Sequence, residues 1–440
     1  MKISKIKVVN LFETYTHEIH FNTEIGITLI LGQNGLGKTI VLKIIEFILE
    51  GSFHLLSEIE FEYIDLYFEK NVSWKIERSI NKEKGIELNI AFIDNLEVAH
   101  TISLADLEKN KDRLRNILRK YLPSSIRRMD EDEWYDRRTE EKLTTLELYS
   151  KYKSQLPKGL FGDFTIYPEW LSSVIDAQEI SFIETQRLLT FYNITDEYSV
   201  RKSSGYKNTV EEYSELLSKE INLQLAHSSE LATKLDRTYP NRLIARLTRT
   251  SNISQSQLNT NLNELEQKRS RLQKVGLLDL EMEPDLKFIK EQDERIREVL
   301  LVYIEDSRKK LEVYDTLADK IELFLKIINE RFLEKKISIS KEEGFHFESL
   351  RTGKTIPVTK LSSGEQHILV LYYKLLFILK KGTLLLMDEP EISLHITWQK
   401  KIIPDLLSIL KLNPMDIIIA THSPAVIGKN WNLTVELNAQ

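Results

Sequence analysis

Gly32-Gln33-Asn34-Gly35-Leu36-Gly37-Lys38-Thr39 fits the pattern G-x-x-x-x-G-K-[ST] in full. An apolar run, Ile25 to Leu31, precedes it and reads as a buried strand. Ile40 to Glu50 follows with helical spacing and is stopped by Gly51. The stretch therefore lies between a strand's C-terminal end and a helix's N-terminus. There, unpaired backbone N–H groups and the positive end of the helix dipole face an anion. Glycines let the backbone wrap around phosphate, Lys38 can reach the outer phosphates, and the Thr39 hydroxyl can bind Mg²⁺. Gln33, Asn34, Gly35, Leu36, Gly37, Lys38, Thr39 and Ile40 are the candidate nucleotide contacts.

The 440 residues suffice for two or three domains with a substantial core. Hydrophobic residues at 42% and charged residues at 29% suit a soluble chain with a long charged helical part. No apolar run reaches the roughly 18–20 residues that cross a bilayer, so no membrane partner is expected. Met1 to Lys5 leads into an alternating strand pattern rather than a secretory leader. Cysteine is absent, which excludes disulfides, Cys-ligated zinc and a Cys nucleophile and suits a reducing cytoplasm. The net charge of −6 leaves any nucleic-acid contact to local patches.

Outward from the loop, Lys2–Val9 and Glu18–Phe21 read as strands, as do Glu60–Phe68 and Val72–Arg78. Ser103, with Asp106 three residues on, reads as a helix N-cap before Leu104, Leu107, Leu114, Ile117, Leu118 and Tyr121, with Pro123 as the stop. Arg127 to Glu141 is densely charged and reads as a mobile surface segment. From Thr209 to about Leu333 the pattern is helical, with a heptad seam at Leu258, Leu262, Leu265 and Leu272 and breaks at Gly276 and Pro284. This predicts an antiparallel helical hairpin. Lys336–Ser340, Phe345–Glu348, Leu384–Met387 and Ile417–Ala420 read as strands.

Three more motifs could complete the site. Leu384 to Glu389 is an apolar strand ending in two acids, where a doubly wound sheet places catalytic groups. Asp388 would hold Mg²⁺ and Glu389 would polarise an attacking water. Leu361-Ser362-Ser363-Gly364-Glu365-Gln366 precedes a helical run; alone, it means no more than a capping box. His422, in Ala420-Thr421-His422-Ser423-Pro424, would by itself be a hydrogen-bonded strand-end histidine.

The order GQNGLGKT, LSSGEQ, LLLMDEP and IATHSP resembles the ABC-type ATPase heads of the SMC, Rad50 and RecF group. The resemblance covers roughly residues 1–60 and 355–425 and implies an α/β, ABC/SMC-like P-loop ATPase head with an inserted helical, short coiled-coil hairpin. The implied organisation is an N-terminal ATPase lobe at 1–200 with a partly helical insertion at about 100–160, a helical insertion at 205–333 and a C-terminal ATPase lobe at 336–440. It implies ATP and Mg²⁺ as ligands and at least a homodimer, with higher oligomers open. Ser362, Ser363, Gly364 and Glu365 would cap ATP bound to the partner protomer. Ser393, Leu394 and His395 would form the D-loop at the dimer seam, and His422 would sense the γ-phosphate. Gln186, after the apolar strand Ile180–Ile183, is the candidate third Mg²⁺ ligand beside Thr39 and Asp388, against a structural role. Lys38, Glu389 and His422 would be the catalytic set. The family often carries Asn-Phe-Arg after its first strand; this chain has Asn10-Leu11-Phe12-Glu13, so no role of that arginine carries over.

SFIETQRLL (181–189), LDRTYPNRL (235–243), LSSGEQHILVLYY (361–373) and THSPAVIGKNWNLTVEL (421–437) are similar to the ATPase subunits of Septu (PtuA-like) anti-phage systems, some of them retron-associated. OLD-family nucleases share the head but add a Toprim domain; here Gln440 follows soon after His422, so cutting is expected of a separate partner. The resemblance implies an HNH endonuclease and, in a retron setting, a reverse transcriptase with its multicopy single-stranded DNA. The rival readings are a DNA-repair or chromosome-structure ATPase, which calls for longer coiled coils, and an ATP-gated scaffold with little turnover. A transporter head fits less well still.

Lys109 to Arg128 holds eight basic residues, Arg113, Arg115, Arg119 and Lys120 among them, against one acid, Asp112. Arg242, Arg246 and Arg249 share one helix face. Either stripe could grip a phosphate backbone, DNA or RNA alike, although a solvated, acid-paired helix face is the commoner explanation.

Overall fold

A computed structural model describes residues 2–33, 35–69, 71–81, 85–95, 97–104, 115–116, 118–122, 125–130, 133–137, 141–145, 148, 152, 170–171, 175, 179–183, 189–193, 204–248, 254–279, 294–392 and 394–437. The chain divides into two units. One comprises 1–186, 380–403 and 414–440, the other 187–379 and 404–413.

Among the described residues, the first unit holds two large sheets and a small third one. Strands β1 (Ile3–Leu11), β2 (Tyr15–His20), β4 (Tyr63–Phe68), β5 (Val72–Asn81), β6 (Gly85–Asp94) and β7 (Glu97–Leu104) form an antiparallel sheet in the order β2-β1-β4-β5-β6-β7. Strands β3 (Ile27–Leu31), β11 (Ile180–Ile183), β16 (Leu384–Asp388), β17 (Asp416–Thr421) and β18 (Thr434–Glu436) form a parallel sheet ordered β11-β16-β17-β3-β18. All five residues of β3 are buried, as continuous apolar strands covered on both faces must be. Helix α1 (Lys38–Leu49) turns Val41, Leu42, Ile44, Ile45, Ile48 and Leu49 inward. They join Ile6 and Val8 of β1, Ile64 of β4, Trp74 of β5, and Leu386 and Ile418 of the parallel sheet in one apolar core. The register is decisive for the site: Asp388 pairs with Ala420, and Thr421 with Leu31. The C-terminal ends of β3, β16 and β17 therefore lie side by side.

Two expectations need correction here. Ser103 caps no helix; it lies in edge strand β7, and its hydroxyl donates to Glu87 of β6. Of the helix expected to run to Pro123, residues 115–116 and 118–121 are helical, while 105–114 lie outside the described residues. The described residues of the charged block at 127–141 lie mostly in strands rather than in a loose segment. Strands β8 (Ile126–Arg128), β9 (Glu133–Asp136) and β10 (Glu141–Thr144) pair in a sheet. Trp134 and Asp136 point inward from β9, where the Trp134 indole donates to Thr145 Oγ1 (3.0 Å) and the Tyr152 hydroxyl to Asp136 Oδ2 (2.6 Å). The period-two signal was hidden because one inward position is itself acidic.

The second unit contains strands β12 (Leu189–Asn193) and β13 (Ser204–Asn208). Helix α3 (Thr209–Leu247) follows; α2 is the short Phe53–Leu56 turn of the first unit. Then come α4 (Gln255–Lys274), α5 (Glu294–Glu312), α6 (Asp315–Asn329), the hairpin β14 (Lys335–Ser340) and β15 (Gly344–Ser349), and α7 (Ser363–Tyr373). Among the described residues the helical insertion thus comprises four helices rather than the two of a simple hairpin. The first arm breaks before Ser254, which starts α4 with a capping box to Gln257, and the second breaks between α5 and α6. Leu258, Leu262, Leu265 and Leu272 are all buried. Helices α3 and α5 run antiparallel: Lys310 reaches Asp236 (3.3 Å), Arg242 pairs with Asp306, and Arg246 contacts Glu305 (2.7 Å) and Glu298 (3.1 Å). Pro240 sits inside α3, and Arg242 Nη2 donates to the Leu235 carbonyl (2.9 Å) beside it. Gly276 must be glycine, since it has φ +79° and a Cβ would stand 1.9 Å from the Ile339 carbonyl oxygen.

Candidate functional site

The loop leaving β3 turns into α1 through Gly37, which is left-handed at φ +85°; a Cβ there would come within 3.1 Å of Leu11 Cδ2. Lys38 is buried, and its ammonium donates to the carbonyls of Gly32 (2.7 Å) and Gln33 (3.1 Å). The lysine head is thereby folded back over the loop mouth. Thr39 Oγ1 donates to Asp388 Oδ2 at 2.7 Å. A hydroxyl and a carboxylate meeting at the sheet's C-terminal edge form an all-oxygen donor set of the kind Mg²⁺ prefers, and magnesium fits here. Ile40 is half-buried, Gln33 and Gly35 are exposed, and Asn34 lies outside the described residues.

Glu389 follows with φ +44°, a strained conformation for a non-glycine residue. Its N–H donates to the Ala420 carbonyl (2.9 Å), which holds the turn against β17. Across that turn His422 Nδ1 lies 3.1 Å from Glu389 Oε1. A carboxylate accepts, so Nδ1 carries the proton in that bond. Lys38, Thr39, Asp388, Glu389 and His422 thus share one edge of one sheet, although they come from three distant stretches of chain.

His17 escaped sequence reasoning. It is buried in β2, and its Nε2 lies 2.8 Å from the Leu36 carbonyl, so Nε2–H donates to the phosphate loop. Burial depresses its pKa below 6.5, with the bond to Leu36 acting in the opposite sense. The only available signal was a polar residue at an inward strand position, His17 alternating with Ile19.

In the second unit Ser362 is the N-cap of α7 in a complete capping box: its Oγ accepts from Glu365 N–H (3.3 Å) and Glu365 Oε2 accepts from Ser362 N–H (2.7 Å). Lys335 Nζ reaches both Glu365 oxygens, at 2.8 and 2.7 Å. Burial pushes the Glu365 carboxyl up, but Lys335 and the Ser362 donors outweigh it and hold the group below 4.5. Ser362 and Ser363 are exposed, and Gly364 is half-buried. Leu394 is buried, and His395 caps helix α8 (Ile396–Gln399), its Nδ1 2.8 Å from Thr397 Oγ1. Ser393, Gln186, Arg113 and Arg249 lie outside the described residues. Arg115 is half-buried and Arg119 and Lys120 are exposed, whereas Arg242 and Arg246 are committed to carboxylates of α5.

A parallel sheet delivering a glycine loop, a Thr–Asp oxygen pair and a Glu–His pair to one edge defines a P-loop nucleotide-binding α/β protein. The chain belongs to the AAA ATPase domain family, whose pattern matches residues 1–427. Solved structures that resemble it include the Smc head domain with an extended coiled coil bound to the C-terminal domain of ScpA, from Pyrococcus furiosus. That match is 12% identical, covers 100% of this chain and 94% of that one, and has a TM-score of 0.34. The SmcHead bound to the C-winged helix domain of ScpA is 9% identical, with coverage of 97% and 91% and a TM-score of 0.34. No curated protein matches. No helix among the described residues is long and apolar enough to cross a membrane.

Proposed function

We propose that this protein hydrolyses ATP, that two copies close head to head on the nucleotide, and that this cycle controls an effector nuclease in anti-phage defence. The observation supporting hydrolysis is the convergence of Lys38, Thr39, Asp388, Glu389 and His422 on one sheet edge. Glu389 positions a water and takes its proton as the water oxygen attacks the γ-phosphorus and the bond to the β-phosphate oxygen breaks. Lys38, released from its loop carbonyls, and His422 offset charge on the transferred phosphoryl group. Magnesium, held by Thr39, Asp388 and Gln186, would neutralise charge on the outer phosphates. Ser362, Ser363, Gly364 and Glu365 of one copy cap the triphosphate held by the other, with Ser393, Leu394 and His395 at the seam. ATP contacts both copies only when they close, so it shifts the population toward the closed pair.

The defence role rests on the resemblance of four strings to Septu-type ATPase subunits, and it calls for an HNH nuclease partner. Glu389→Gln is the test. Phosphate release should fall on the order of 10²- to 10⁴-fold, while ATP-bound dimers accumulate in analytical ultracentrifugation. Wild-type turnover by this variant, or no turnover by the parent chain, defeats the hydrolase reading. Loss of phage protection in cells carrying the variant together with its nuclease tests the output.

A further inference from the structure

One buried carboxylate beside the site has no role in the chemistry above. Glu391 is only 4% exposed, yet its Oε1 gathers three neighbours from the end of β17. The Thr421 hydroxyl donates to it at 2.5 Å, the His422 backbone N–H donates at 3.2 Å, and His422 Nδ1 lies 3.5 Å away. Because the Thr421 hydrogen is spent on Glu391, its oxygen is free to accept from Ser423 N–H, which it does at 3.0 Å. Gln399 ties the same two segments a second time: its Nε2 donates to the Glu391 carbonyl (3.3 Å), and its Oε1 accepts from Ser423 Oγ (2.8 Å). Glu391 Oε2, also buried, has no hydrogen-bond partner among the described residues. A buried acid next to two strands' ends costs stability unless its bonds serve something.

We propose that Glu391 is a positioning residue that sets the backbone and ring of His422 against Glu389; this rests on the hydrolase reading above. Glu391 locks Thr421-His422-Ser423 to the turn that carries Glu389. It thereby keeps His422 Nδ1–H aimed at carboxylate and turns Nε2 to the open side, where it donates to a phosphate oxygen once it too carries a proton. Without it, His422 can rotate and swap tautomers.

The test uses the full chain with Glu391→Ala, Glu391→Gln, His422→Ala and the Glu391→Ala/His422→Ala pair. Outer carboxylates that orient an imidazole matter by on the order of 10- to 100-fold. The phosphate-release rate of Glu391→Ala should fall by that factor, with less than about a threefold change in Kd for a non-hydrolysable ATP analogue. Gln keeps an acceptor oxygen and should restore most of the rate. The double variant should be no slower than His422→Ala alone, because both changes disable one unit. Nitrogen-15 spectra of labelled histidine without nucleotide supply a readout independent of turnover: His422 should be the Nδ1–H tautomer in the parent and a mixture in Glu391→Ala. Additive losses in the double variant, or an unchanged His422 tautomer in folded Glu391→Ala, overturn the proposal. If the parent chain fails to release phosphate, the hydrolase reading falls, and the tautomer measurement still decides whether Glu391 orients His422.

Discussion

Thr39 Oγ1 and Asp388 Oδ2 are 2.7 Å apart although 349 residues separate them in the chain. The bond joins the first turn of α1 to the tip of β16. It presents hydroxyl and carboxylate oxygens together, the donor type a hard divalent cation prefers.

Thr39→Val keeps the volume and removes the hydroxyl. We expect ATP affinity measured with Mg²⁺ to drop at least about tenfold and affinity measured in EDTA to change little. Equal losses under both conditions, by isothermal titration, would place Thr39 outside metal binding.

His17 ties pH to the phosphate loop. Its folded-state pKa lies below 6.5, so the folded chain holds the ring neutral where the unfolded chain protonates it. Above 6.5 both forms are neutral and nothing is lost; as pH falls below 6.5 toward the folded value, stability declines, by at most about 1.4 kcal/mol per pH unit. Melting temperatures from pH 7.5 to 5 should show this slope, and His17→Gln, which still donates to Leu36, should flatten it. An identical slope in the variant would refute the assignment.

Glu365 behaves in the opposite sense. Its pKa is held below 4.5, so its stabilisation is present above 4.5 and is lost as pH drops through the folded value. Lys335→Met strands a largely buried carboxylate, and we expect a loss of roughly 1–3 kcal/mol at pH 7. That deficit should shrink below pH 4.5, where the carboxyl is protonated in the variant. Guanidinium melts at both pH values check it.

Arg242 is predicted to be structural. Asp306 has a side chain 9% exposed, so Arg242→Ala would leave a nearly buried charge unpaired. A loss of about 2–4 kcal/mol is expected, read as faster hydrogen exchange across Pro240 in α3. Any DNA affinity by fluorescence anisotropy should be unchanged; a large fall in affinity with intact exchange protection would make Arg242 a nucleic-acid contact instead.

Much of the site was legible in the chain because its parts are local. A strand, a glycine loop and a helix in immediate succession dictate the anion cradle around Lys38 and Thr39. The apolar run ending in Asp388-Glu389 likewise declares a buried strand with an acidic tip. Other features were legible only in outline. The seam of Leu258, Leu262, Leu265 and Leu272 marked a helix but not the break before Ser254 or the short turn between α5 and α6, since heptads record burial and not chain continuity. The sheet at 126–144 stayed hidden because a buried acid, Asp136, satisfied by Tyr152, mimics a surface charge in a linear reading.

Sequence alone determined that this protein has a phosphate cradle, two strand-tip acids and a histidine turn, since each depends on residues a few positions apart. Tertiary structure alone decided that they meet. Parallel register sets Asp388 beside Ala420 and Thr421 beside Leu31, and that register reflects packing of whole strands, which no local pattern encodes. His17 under the loop, Glu391 behind His422, and Arg242 spent on Asp306 are of the same kind. Each pairs a polar group with one on another element, and the buried member, His17, Glu391 or Asp306, has little water as an alternative.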